Sequence, residues 1–580
     1  MTKRILYSIF ALGVAAIALT SCEFLDKQPS NELTGDEVFG DWNLMTQFHY
    51  DTYNFLRHGA GRINASWLDA ATDLGETSYA TGGVRTTFNI GNYYGGGGAS
   101  ELTNTWEHYY RGIRKCNMIL ERIESVPKNP DLSEETYLDN KSNIISEARF
   151  LRAWFYWELF LRYGPIPIVT EVLDPDGDLL SGYTARPSLK EYVVDFVMKE
   201  IKECEAGLMT YESSPGSRTS RITRPMASAL YSRLALYMAS PRFSAESGVT
   251  WKQAADAARA FITTYGGNYS LMQGNDPKSA LTNAWLVPPY PDSRNNSEII
   301  FYRNDATVGW GAIANDTPVG EGGNGGLCPS QNLVDMYDMI DGSSPFREYD
   351  ATGAPIYNGV TPAINEASGY SDANMWANRD VRLAASILYN GVSWNNGVIN
   401  VVRGQRDNPI GNANATPTGY YLRKYIPETI LNADHSGNSY RLWTIIRYAE
   451  ILLNHAEALN ETEGPGPEVY DLLDQIRHRA GITGNVAERT DLDSKEKMRN
   501  FIRKERTVEL AFEEHRAWDV RRWNVAEQAL GRDIIGIDIA ANGTITRKVA
   551  QERVFQTKMY LYPIPETEYW KTGIENNPDW

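Results

Sequence analysis

The stretch Arg303–Pro318, RNDATVGWGAIANDTP, sets Trp310 between two glycines among Asn and Asp residues. An aromatic ring flanked by small residues and surrounded by amides and carboxylates suits a ligand with an apolar face and polar edges. A sugar ring has that build, with C–H bonds on its faces and hydroxyls around its rim. Trp310 is therefore the first candidate platform. Trp67 and Tyr93 come next, in the loop-like stretch from Asn64 to Ser100, with Asp69, Asp73 and Arg85 nearby to meet hydroxyls. Tyr94 follows directly, ahead of four consecutive glycines. Trp285 precedes LVPPYP and suits a platform or a pin between loop and core equally.

Catalytic and metal chemistry find less support. None of the seven histidines forms HxxxH or HExxH, and the cysteines form no CxxC or zinc-like spacing. Cys116 and Cys204 lie in helix-like stretches and read as small buried hydrophobes. GGGG (Gly95–Gly98) and GEGGNGG (Gly320–Gly326) lack the GxxxxGK[ST] pattern and read as flexible loops. Asn/Asp-rich loops leave a calcium ion open, but no EF-hand loop is present. Neither a metal nor a cofactor is implied. Glu505 and Glu509 stand one turn apart beside Arg503 and Arg506, which reads as an ion-paired scaffold helix rather than an acid/base pair. A glycoside hydrolase needs two carboxyls at about 5–5.5 or 6.5–9.5 Å across a cleft, and no local motif nominates them.

Helices must position these loops. In Lys141–Tyr163, Ile144, Ala148, Leu151, Phe155 and Leu159 form one stripe, and Gly164-Pro165 ends it. Arg441–Glu461 and Lys495–Trp523 carry the same periodicity, and further helices are expected at about 100–124, 188–208, 223–239, 251–265 and 466–480. Trp154, Trp157, Trp443, Trp518, Trp523 and His455 fall on these stretches and read as packing. The helices come in antiparallel-ready pairs, the spacing of tetratricopeptide-like hairpins. Segments 64–100 and 266–440 break the pattern with Gly, Asn, Asp, Pro and short apolar runs such as EIIFYR. Irregular insertions of that length are usually functional. The expected fold is thus mainly α, with a hairpin scaffold at about 100–265 and 441–523 supporting a loop-rich region with a few short strands.

The net charge is −17, unsuited to nucleic acid. The N-terminus has Lys3 and Arg4, an apolar run from Ile5 to Leu19, then Leu19-Thr20-Ser21-Cys22. That run is short for a membrane span, and the last four residues resemble a bacterial lipoprotein processing box. The resemblance implies removal of Met1–Ser21 and a lipid on Cys22, leaving residues 22–580 as one tethered domain.

CEFLDKQPSNELT, ARFLRAWFYWELFLRYGPIPIVTE, RDVRLAASILYNG, TGYYLRKY, RYAEILLNHAEALNE, IRKERTVELAFEEHRAWDVRRW and YLYPIPETEYW, in this order, resemble the SusD/RagB family across Cys22–Trp580. The resemblance implies about four tetratricopeptide-like helix pairs cradling an irregular ligand region. It implies a cell-surface lipoprotein of Bacteroidetes-type bacteria that binds a nutrient, usually a glycan, and passes it to a SusC-like TonB-dependent outer-membrane transporter. A peptide ligand is the alternative within the family. The shared motifs are scaffold, so no ligand residue is carried over.

Overall fold

The computed structural model describes residues 34–580 except 82, 175, 179–181, 212–220, 288–295, 304–307, 396 and 429–440. The leader and the Cys22 lipidation site lie outside the described residues. Helix α1 (Thr105–Arg122) packs antiparallel on α2 (Glu134–Tyr163). The Ser133 side chain accepts from Thr136 N at the start of α2, and Gly164 closes it at φ +70°. A π-helical stretch, Lys190–Met198, runs on into α3 (Lys199–Cys204). Helix α4 (Arg224–Ala239) packs on α5 (Trp251–Tyr265), which starts with a Thr250/Gln253 capping box. After the short α6 (Trp310–Ile313), α7 (Tyr448–Glu463) packs on α8 (Pro467–Arg479) and on α9 (Lys495–Glu509). Shorter helices follow, among them α10 (His515–Arg522) and α11 (Glu566–Thr572).

Helix α5 also packs directly on α7. The loop-rich segment between them is therefore an insertion that leaves and re-enters one helical array. A single hydrophobic cluster runs from Leu56 to Ile574 and takes in both helical halves and the insertion. Six two-stranded sheets are present among the described residues. Those that matter here are β1 (Gly75–Thr77) with β3 (Leu327–Pro329), and β2 (Ile299–Arg303) with β4 (Trp443–Arg447). No helix of the described residues is long and apolar enough to cross a membrane.

Two expected helices differ in extent. Residues 443–447 form a buried strand, because Thr444, Ile445 and Ile446 suit a sheet and find the EIIFYR strand as partner. The expected helix over 495–523 breaks at residues 510–514, where Phe512 and Glu514 adopt positive φ (64° and 62°). The break turns Glu513 toward Arg447 and Lys424, and Glu514 toward Arg62. Cys116, Cys204 and Cys328 are buried free thiols.

Candidate functional site

The two loop-rich regions are stitched together. Strand β1 pairs antiparallel with β3, setting Glu76 opposite Cys328. Ser78 N donates to the Gly326 carbonyl at 2.9 Å, and Ser78 Oγ donates to the Asn324 carbonyl at 2.7 Å. Asp316, just after α6, is held on both oxygens. Trp67 Nε1 donates to Oδ1 at 2.8 Å, and Arg441 Nη2 donates to Oδ2 at 2.8 Å. Arg441 Nη1 also reaches the Ala312 carbonyl at 3.2 Å. The segment bearing Trp310 is thus braced from below by partners distant in sequence.

Trp310 opens α6, half-buried, with its inner side packed against the core. The neighbouring Gly311 is exposed, and a Cβ there would meet nothing within 4 Å. The next turn of the same segment, Ala314–Asp316, joins a chain of neutral polar groups. The Tyr79 hydroxyl donates to the Asn315 carbonyl at 3.1 Å. Asn324 Nδ2 donates to Asn315 Oδ1 at 3.3 Å, and Asn414 Nδ2 donates to Asn324 Oδ1 at 3.4 Å. Burial, then the Asp316 charge, push the Tyr79 phenol up, so it stays a neutral donor and acceptor. Glu321 sits at the edge, paired with Arg406 at 3.0 Å. A part-exposed indole can stack on a C–H face, and a phenol and amides carried by the same and adjoining loops can exchange hydrogen bonds with hydroxyls.

The other expected platform residues lie elsewhere. Trp67 is fully buried, packed edge-on against Trp443 at 5.5 Å and under the Arg441 guanidinium at 5.2 Å. It offers no ring face to a ligand and instead anchors the Trp310 segment. Tyr93 is buried and stacks on Trp580 at 6.1 Å and 11°. Trp285 is buried with Lys424 Nζ 4.2 Å over its ring, which favours the pin over the platform. Asp73 is consumed by a two-pronged pair with Arg516 at 2.8 and 2.7 Å. Burial works against its charge, but Arg516 and then Arg532 hold its carboxyl below the usual range. Arg85 Nε lies 3.7 Å from the buried Glu76. Asp69 is buried with Oδ1 unpartnered, and burial followed by the Glu514 charge pushes its carboxyl up to about 7. Tyr94 alone among these is exposed, but it lines a separate cleft with the C-terminal segment. The amide chain of Asn315, Asn324 and Asn414 was not singled out in the sequence; their only mark is an Asn-rich texture shared by the whole insertion.

Glu505 and Glu509 are buried scaffold groups. Arg382 reaches Glu505 at 2.5 Å and Glu509 at 3.1 Å, and Arg477 reaches Glu505 at 2.9 Å. Arg447 bridges Glu298, Glu509 and Glu513 at 2.5, 2.7 and 2.8 Å. Burial opposes the charge on Glu509, but Arg479, Arg447 and Arg382 hold it well below the carboxylate range. A carboxylate so committed has no proton to give a substrate. No group of His, Cys, Asp and Glu among the described residues has the arrangement of a metal site.

The SusD family model matches residues 289–580, and a second, described as starch-binding associating with outer membrane, matches residues 23–236. The chain belongs to the SusD family. SusD-like protein P25 of Formosa agariphila is 23% identical over 532 residues, covering 87% of each chain. A SusD-like protein from Bacteroides fragilis superposes with a TM-score of 0.74 at 25% identity, covering 96% of this chain and all of that one. A laminarin-binding SusD-like protein shares the fold with a TM-score of 0.56 at 20% identity, covering 93% of this chain and all of that one.

Proposed function

We propose that the protein is a non-catalytic, cell-surface lipoprotein that captures a glycan on the Trp310 surface. From there it hands the glycan to a SusC-like TonB-dependent transporter in the outer membrane. The lipid on Cys22 keeps the body near the membrane and raises its effective concentration at that transporter. The observation that carries the reading is the half-buried Trp310 on a segment that is braced through Asp316 and leads directly into the Tyr79–Asn315–Asn324–Asn414 chain. A laminarin-binding relative and a family described as starch-binding support the same ligand class.

Titration calorimetry of residues 23–580 against plant, host and microbial polysaccharides, with peptides as controls, tests it. Heat from one glycan class, weakened about tenfold or more in Trp310→Ala, is the expected result. Heat from peptides alone would move the ligand to the peptide class, which needs pockets and backbone partners instead of stacking faces. Turnover of a polysaccharide would favour a hydrolase, against the commitment of Glu505 and Glu509 to arginines. Co-purification from detergent with a barrel partner tests the handover, and its absence counts against it.

A further inference from the structure

We propose that a second cleft, where the four-glycine loop meets the C-terminal segment, binds a neutral saccharide chain independently of the Trp310 surface. The ligand class follows the reading above; the site does not. The cleft is an open depression of about 1320 Å³, more than a single sugar needs. Three aromatic side chains open into it. Trp570 is 73% exposed, Tyr94 49% and Tyr569 38%. Exposed rings gathered in one concavity mark an interaction surface more than solitary surface aromatics do.

The walls are built and not frayed. Trp580 Nε1 donates to the Lys558 and Leu561 carbonyls at 3.0 and 3.1 Å, and its ring stacks on Tyr93. Glu566 N donates to the Gly95 carbonyl at 2.9 Å, tying α11 to the glycine loop. The glycines serve close approach, not flexibility. A Cβ on Gly95 would sit 2.6 Å from the Ile564 carbonyl oxygen, and one on Gly96 2.3 Å from Glu566 Oε2. Trp570 Nε1 donates to Glu566 Oε1 at 3.4 Å, which orients the indole within the cleft.

The charge of the lining selects the ligand. Arg186 is spent on the protein itself, donating to the Pro165 and Tyr163 carbonyls at 2.8 and 2.6 Å and to Asn577 Oδ1 at 2.7 Å. Glu566, Glu575 and Asp579 remain as carboxylates around the aromatics. They accept hydrogen bonds from hydroxyls and repel sulfated or uronate chains. None of the lining residues belongs to a strand, so an extended peptide finds no edge to pair with. Lys558 Nζ stands 4.3 Å over the Trp580 ring, but the three carboxylates outnumber it, and rings for C–H faces with acceptors for hydroxyls fit a neutral glycan.

The test is affinity electrophoresis of four forms of the protein: unmodified, Trp310→Ala, Trp570→Ala and the double variant. The probes are starch, laminarin, xyloglucan and galactomannan, with alginate and chondroitin sulfate as anionic probes and oligolysine as a cationic peptide. Circular dichroism confirms folding, and Tyr94→Ala serves as a second exposed substitution in the same cleft. For at least one neutral polysaccharide, Trp570→Ala and Tyr94→Ala should each weaken retention by about threefold to tenfold, and Trp310→Ala should leave binding that the double variant loses. If Trp570→Ala loses binding while Trp310→Ala does not, the cleft stands and the Trp310 reading fails. The cleft proposal is overturned if Trp570→Ala and Tyr94→Ala match the parent and the double variant matches Trp310→Ala. It is equally overturned if no neutral chain is retained, or if the cleft variants lose only anionic or peptide binding.

Discussion

The interior between α7, α8 and α9 and the surface around Trp310 are both rich in polar groups, and they use them in opposite ways. Inside, Arg447, Arg382, Arg477 and Arg479 meet Glu298, Glu505, Glu509 and Glu513, and each charge is matched by several partners. In the loop-rich region, Tyr79, Asn315, Asn324 and Asn414 are neutral, part-buried and linked by side-chain hydrogen bonds of 3.1–3.4 Å. A buried charge must be satisfied in place or the fold fails. A neutral amide held loosely at the surface can exchange its partner for a ligand hydroxyl at small cost. Dense charge here marks the scaffold, and sparse neutral polarity marks the proposed site.

The widest separation between the two regions should come from Arg447→Met. It leaves Glu298, Glu509 and Glu513 short of a buried partner and should cost about 3–5 kcal/mol in urea unfolding. A loss under 1 kcal/mol would mean that the network is not the interior's support. The pH dependence of stability comes next. Asp69 carries a folded-state pKa of about 7 against 3.8 for the free side chain, so the folded state holds its proton more tightly. Between about pH 4 and 7 stability therefore falls as pH rises, and above that the penalty is constant. Asp69→Asn should exceed the parent at pH 8 by roughly a few kcal/mol, with the gap closing toward pH 4. Glu457 gives the opposite sign. Burial works against its charge, but Arg522 lowers it to about 2, so its contribution is lost as pH falls from 4.5 toward 2.

Trp67→Phe probes the boundary between the regions. Losing the donor to Asp316 should cost about 1–3 kcal/mol and weaken glycan binding through the loosened Trp310 segment. Unchanged binding would show that the brace does not position the site. Arg403→Ala, in the loop-rich segment, removes a surface pair with Asp538 at 2.7 Å, and should change stability by less than about 1 kcal/mol.

Much of the scaffold was legible because amphipathic stripes repeat locally. Ile144 to Leu159 identify α2, and Gly164-Pro165 its end, without knowledge of any partner. Periodicity failed where a partner decided the outcome. Residues 443–447 scan as helix until the strand at 299–303 is present, and the break at Phe512 and Glu514 brings Glu513 to Arg447 and Lys424 and Glu514 to Arg62. The candidate platforms divide by burial, which the sequence showed only in part. Trp310 stood out through its glycine neighbours. Trp67 lay in equally loop-like sequence, and only Asp316, far along the chain, makes it a buried brace. Tyr93 misled in the same way, and Trp285 took the pin of its two readings, since a polar neighbourhood in sequence says little about burial when the loop itself is packed.

The direct test of the Trp310 surface is calorimetry with the polysaccharide bound by the parent, comparing Trp310→Ala with the parent at equal thermal stability. The account predicts binding weakened by about tenfold or more with the unfolding midpoint nearly unchanged. Unchanged affinity in a folded Trp310→Ala protein would contradict it and remove the Trp310 surface as the place of capture.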